Sequence, residues 1–134
     1  MFVKQNANKI KMKKTNLIIY WIVTGLFCLS AVAGAIAYFA MYDMTSEMFT
    51  SLGVPTEVIY PLAIAKILGV IAICFIKSPL LKKLAYLGFA LDLIMAIIAH
   101  INAGDGEFYG PIIPLALLAT SYIFYRKLNA KTAN

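Results

Sequence analysis

Four apolar stretches, each closed at both ends by a charge, constrain this chain more than anything else in it. They run from Lys14 to Asp43, from Glu57 to Lys77, from Lys83 to Asp105 and from Glu107 to Arg126. A helix needs about 20 mostly apolar residues to cross the hydrocarbon core of a bilayer, and each stretch reaches that length. Soluble domains sit near half apolar. Here 62% of residues are hydrophobic and the mean hydropathy is +0.83, so the excess must face something other than water. The sequence therefore predicts an all-α membrane protein. Its form is an antiparallel four-helix bundle with spans at about 17–41, 58–77, 81–102 and 108–126. Residues 1–15 form a basic tail and residues 128–134 a second one. The charge-free run from Asn16 to Tyr42 is too long for a cleaved leader, so it reads as a retained helix.

Helix breakers fall where the spans should end. Gly53-Val54-Pro55 precedes the second span, and Ser78-Pro79 makes a tight turn before the third. Gly104, Gly106 and Gly110-Pro111 separate the third from the fourth. Pro111 and Pro114 fall in the first turns of the last helix, where proline is tolerated. The segment from Tyr42 to Glu57 is too short to cross. It reads as a short helix on the outer surface or as a loop folded over the bundle mouth.

The net charge of +6 does not point to nucleic acid, because the basic residues lie at the ends of apolar runs and not on an aromatic-studded patch. They report orientation instead. The N-terminal tail, the turn with Lys77, Lys82 and Lys83, and the C-terminal tail with Arg126, Lys127 and Lys131 carry the cations. The other two loops carry Asp43, Glu47, Glu57, Asp105 and Glu107 and no Lys or Arg. Cytoplasmic loops are enriched in Lys and Arg, so both termini are expected in the cytoplasm. Tyr20, Trp21, Tyr86, Tyr122, Phe124 and Tyr125 would then sit at the inner interface. Tyr38, Phe39, Tyr42, Tyr60, Phe108 and Tyr109 would sit at the outer one.

Small residues on the first span, among them Ser30, Ala31, Gly34 and Ala35, suit close helix packing. On the third span Gly88, Asp92, Ala96 and His100 recur every four residues and share one face. That small, polar face should look inward, with Leu91, Ile94, Ile97 and Ile98 on the others.

Charges inside a membrane cost free energy and mark candidate sites. Two are present, Lys66 and Asp92. Lys66 lies 13 residues before Pro79 and Asp92 lies 13 after it. Helical rise places both about 20 Å from the turn, near mid-bilayer, so antiparallel neighbours would bring them into an ion pair. Such a pair could simply neutralise two charges and fix register, or serve a ligand or proton. His100, two turns beyond Asp92, is the third candidate, as the wall of a cavity mouth or as a hydrogen-bonded anchor. One His with scattered carboxylates lacks the spacing of a metal site, so no metal is expected. Cys28 lies 14 residues after Lys14 and Cys74 three before Lys77. That reading separates them by about 15 Å in depth, beyond the roughly 7 Å Cα limit for a disulfide. Both read as packing residues, and with no Cys-x-x-Cys this argues against thiol redox chemistry.

Trp21-xxx-Gly25, Gly53-Val54-Pro55, Lys66-Ile67-Leu68-Gly69 and Ala85-Tyr86-Leu87-Gly88-Phe89, followed by Asp92 and His100, occur in a characteristic order. In this the chain, from about Trp21 to Arg126, resembles the DoxX-like family of small four-span bacterial membrane proteins. The resemblance implies a bundle in the bacterial cytoplasmic membrane. It also implies kinship with membrane subunits that pass electrons from sulfur compounds to quinone, or that belong to redox-stress assemblies. The expected function is a non-catalytic subunit or ligand-binding module of a membrane assembly, linked to quinone and with no covalently bound cofactor. The alternative is a small membrane enzyme or carrier for an apolar molecule, working through Lys66, Asp92 or His100. Expected partners are the lipid bilayer, a membrane or oxidoreductase subunit and a second copy of the chain.

Overall fold

The computed structural model describes residues 2–129, and no strand occurs among them. The order is α1 (Phe2–Ala40), α2 (Tyr42–Ser51), a 3-10 turn (Thr56–Val58), α3 (Ile59–Phe75), α4 (Pro79–Ala103) and α5 (Tyr109–Asn129). Helix α1 packs against α3 and α5, and α4 packs against the same two. The four longer helices thus close a ring.

Helix α1 is 39 residues long. No Gly or Pro precedes Gly25, so nothing interrupts the backbone where the basic tail meets the apolar run. No break in secondary structure falls at residue 15, where the tail was expected to end. Tyr20 is the first buried residue, Asn16 and Ile19 before it are half-buried, and residues 2–15 are exposed. The tail assigned to 128–134 falls largely outside the described residues.

Among the described residues, three helical segments are long and apolar enough to cross a membrane: Phe2–Ala40, Thr56–Phe75 and Pro79–Ala103. Four were expected. Helix α5 has the length, at 21 residues. Its prolines, Thr120, Ser121 and three tyrosines dilute the Ile and Leu content.

Local chemistry explains the element ends. Ser78 caps α4 by accepting a hydrogen bond from the Leu81 amide, and Pro79 opens the first turn, where its missing N–H costs nothing. Gly104 ends α4 with φ of 67°, a left-handed conformation that glycine adopts without a Cβ penalty. Met41 bends the chain from α1 into α2 while hydrogen bonds to Ala37 and from Thr45 persist.

The core gathers Phe27, Cys28, Ala31, Ile73, Tyr86, Phe89 and Leu118 from all four long helices. The Phe27 and Phe89 rings meet edge to face at 4.9 Å, a preferred aromatic arrangement. Gly69 admits the Phe89 ring, since a Cβ there would come within 2.6 Å of it. Below this layer Thr24, Ser121 and Tyr86 form a buried hydroxyl chain, with Thr24 to Ser121 at 2.5 Å and Tyr86 to Ser121 at 2.7 Å. Tyr20, Tyr86, Tyr122 and Tyr125 cluster at this end. Tyr38, Phe49, Phe39, Tyr42 and Tyr60 pair at the other end. Leu91, Ile94 and Ile98 are exposed on α4.

Candidate functional site

Helices α3 and α4 bring Lys66 and Asp92 together. Nζ of Lys66 lies 3.7 Å from Oδ2 of Asp92, with 15% and 21% of the two side chains accessible. This is an ion pair and not a hydrogen bond, which would require a closer approach. Lys66 also donates to the Tyr38 hydroxyl at 3.3 Å, and its ammonium lies 4.5 Å from the centre of that ring. Gly34 lies beside this side chain: a Cβ there would sit 3.8 Å from Nζ, an ordinary van der Waals contact.

Lys66 and Asp92 line a cavity of about 700 Å³. The α4 face expected to look inward lines it over its whole length, through Gly88, Asp92, Ala96 and His100. Phe49 and Leu52, from α2 and the residue after it, and Leu62, Met95 and Pro114 supply apolar wall. The segment 42–57 is thus a helix followed by a short connection, and it borders the cavity. Pro114 lacks the N–H that would bond the Gly110 carbonyl within α5, and both residues are in the wall. Two smaller cavities, of about 180 and 110 Å³, also meet Lys66 and Asp92. The pair therefore borders three partly open pockets.

His100 is 9% exposed. Its Nδ1 bonds Oδ2 of Asp105 at 2.7 Å, while Oδ1 of Asp105 accepts from the Glu107 amide at 2.9 Å. The Glu107 amide bond, and then the His100 ring, hold the Asp105 carboxyl below its ordinary value of 3.8. His100, Asp105 and Glu107 each place one ligand-type atom within 4.8 Å of the others. The hydrogen bonds just described account for this grouping, as they tie the α4–α5 loop to the cavity wall.

Sequence reasoning missed two features. Tyr38 completes the Lys66 site, and its signal was its place four residues after Gly34 on one face of α1. The second is a correction. Cys28 and Cys74 were expected about 15 Å apart in depth, yet their sulfurs lie 3.3 Å apart. Lys14 was the wrong depth marker, because α1 continues past the packed region and Cys28 lies only two turns inside its first buried residue. Face periodicity was the better signal. Thr24, Phe27, Cys28, Ala31 and Ala35 are the buried stripe of α1.

Apolar helices of this length, packed around a charged pair, point to a membrane protein. The chain belongs to the DoxX-like family, whose model matches residues 22–124, close to the stretch over which the resemblance was read. No curated protein and no solved structure matches it significantly.

Proposed function

We propose that this protein is a non-catalytic, ligand-binding module of a bacterial cytoplasmic-membrane assembly. In this reading its cavity holds an apolar molecule with a small polar head, of the quinone class. The observation that carries it is the cavity of about 700 Å³, apolar except for the Lys66–Asp92 pair, Tyr38 and His100. Ligand sites are typically of this size and character, mostly apolar with a few convergent polar groups. Lys66 and Tyr38 supply donors for a carbonyl oxygen, and Asp92 retains accepting capacity for a hydroxyl.

The same proposal places α5 in the membrane as a fourth span, since it packs between α1 and α4. Lys82 stacks on the Tyr125 ring at 5.3 Å, so the basic turn and the basic end of α5 lie at one end of the molecule. That supports cytoplasmic termini. A reporter active only in the cytoplasm, fused after Asn134, should be active; silence would reverse the orientation.

Mass spectrometry of the protein gently extracted from its own membrane tests the function. A stoichiometric quinone-like molecule, lost in Asp92→Asn, is expected. A stoichiometric protein partner with no such molecule would leave a subunit role and remove the ligand. Retention of the molecule in both Asp92→Asn and Lys66→Met would remove the site.

A further inference from the structure

Cys28 on α1 and Cys74 on α3 are the only cysteines in the chain, both are free, and their sulfurs share a contact of 3.3 Å across 46 residues of sequence. A disulfide would need the sulfurs roughly 1.3 Å closer. The two environments differ. Cys28 is buried, at 7% exposure. Cys74 is half-buried and sits one residue before the end of α3. One thiol is therefore reachable from outside the core, while its neighbour is shielded. That is the layout of an attacking thiol beside a resolving one.

We propose that Cys28 and Cys74 are a thiol redox site that hydroperoxides oxidise to a reversible disulfide, tying α1 to α3. The Cys74 sulfur, as thiolate, attacks the terminal, hydrogen-bearing oxygen of the hydroperoxide. The O–O bond breaks, an alcohol or water leaves with a proton, and Cys74 becomes a sulfenic acid. The Cys28 sulfur then attacks the Cys74 sulfur, the S–O bond breaks and water leaves with the Cys28 proton. Two electrons pass from the thiols to the O–O bond. A thiol reductant returns two electrons and two protons and restores the pair. Because no third cysteine competes within the chain, ring closure has one partner. The closed bond would fix the interface where Tyr38 and Gly34 of α1 meet Lys66 of α3. This inference stands without the ligand reading, since it rests on the sulfur geometry alone.

The test uses the full chain in membrane vesicles, treated with hydrogen peroxide or cumene hydroperoxide, quenched, unfolded and labelled with a heavy maleimide. Two labels are expected before treatment, none after it, and two again after reductant, all on the monomer band. Cys28→Ser should leave Cys74 trapped as a sulfenic acid that dimedone labels. In Cys74→Ser, Cys28 should stay largely unreacted. Faster closure by cumene hydroperoxide would identify a membrane-dissolved oxidant, and faster closure by hydrogen peroxide an aqueous one. The proposal is overturned if both thiols keep their labels. It is equally overturned if they are lost singly and irreversibly, or if closure occurs only between molecules.

Discussion

Lys66 faces Asp92 across 3.7 Å, a pair held open enough to border three cavities at once. Breaking a closed, buried pair typically costs 3–5 kcal/mol, because the survivor is left uncompensated. This survivor is not alone. In Asp92→Asn, Lys66 keeps the Tyr38 hydroxyl and the face of its ring. A desolvated cation–π contact is worth up to about 2 kcal/mol. We therefore expect Asp92→Asn to lower stability by only about 1–2 kcal/mol, measured by denaturant titration in micelles. Tyr38→Phe combined with Asp92→Asn should cost more than the two single changes added together. Strict additivity would mean that Tyr38 does not carry the ammonium.

Packing around Gly69 gives a second prediction. A methyl added there would meet Cε2 of Phe89 at 2.6 Å, and Phe89 cannot swing away freely because Phe27 holds it edge to face. Overpacking of this kind costs about 1–3 kcal/mol. Gly69→Ala should therefore destabilise the protein by that amount, against the usual gain from replacing a helical glycine by alanine. Phe89→Leu should recover most of the loss in the double variant. A neutral Gly69→Ala would show that α3 and α4 separate easily at this level.

The sequence made some of this legible and hid the rest for physical reasons. The Lys66–Asp92 meeting follows from counting equal distances from Pro79, which works because a tight turn fixes the register of two neighbouring helices. The four-residue recurrence on α4 reappears in the cavity wall, which also takes in Leu91 from a face expected to look outward. Depth counted from Lys14 failed, because a charge in a continuous helix marks no boundary of packing. Tyr38 stayed hidden because aromatic residues near a span end read as interfacial anchors, and only the side chain of Lys66, reaching across from α3, gives this one another task. The span count differs at α5, where prolines and hydroxyls needed for the cavity wall and for the Thr24–Ser121–Tyr86 chain lower the apolarity that marks a span.

The α4–α5 loop should carry its own pH dependence. Asp105 accepts from the Glu107 amide at 2.9 Å and pairs with His100 at 2.7 Å, and both favour the ionised carboxylate. Its folded value lies below the ordinary 3.8. A group depressed on folding contributes stability that is fully present above its unfolded value and disappears as the pH falls through the folded one. The loop should thus stay fastened through neutral and mildly acidic conditions and loosen only below pH 3.8. Asp105→Asn removes the charge at every pH. In that variant, exchange of the Glu107 amide should be faster than wild type at pH 6, and the difference should vanish in strong acid. Since Asp105 is solvent-exposed, global unfolding should change little while local exchange changes clearly. Equal Glu107 protection in wild type and variant at pH 6 would mean that the carboxylate does not hold the loop.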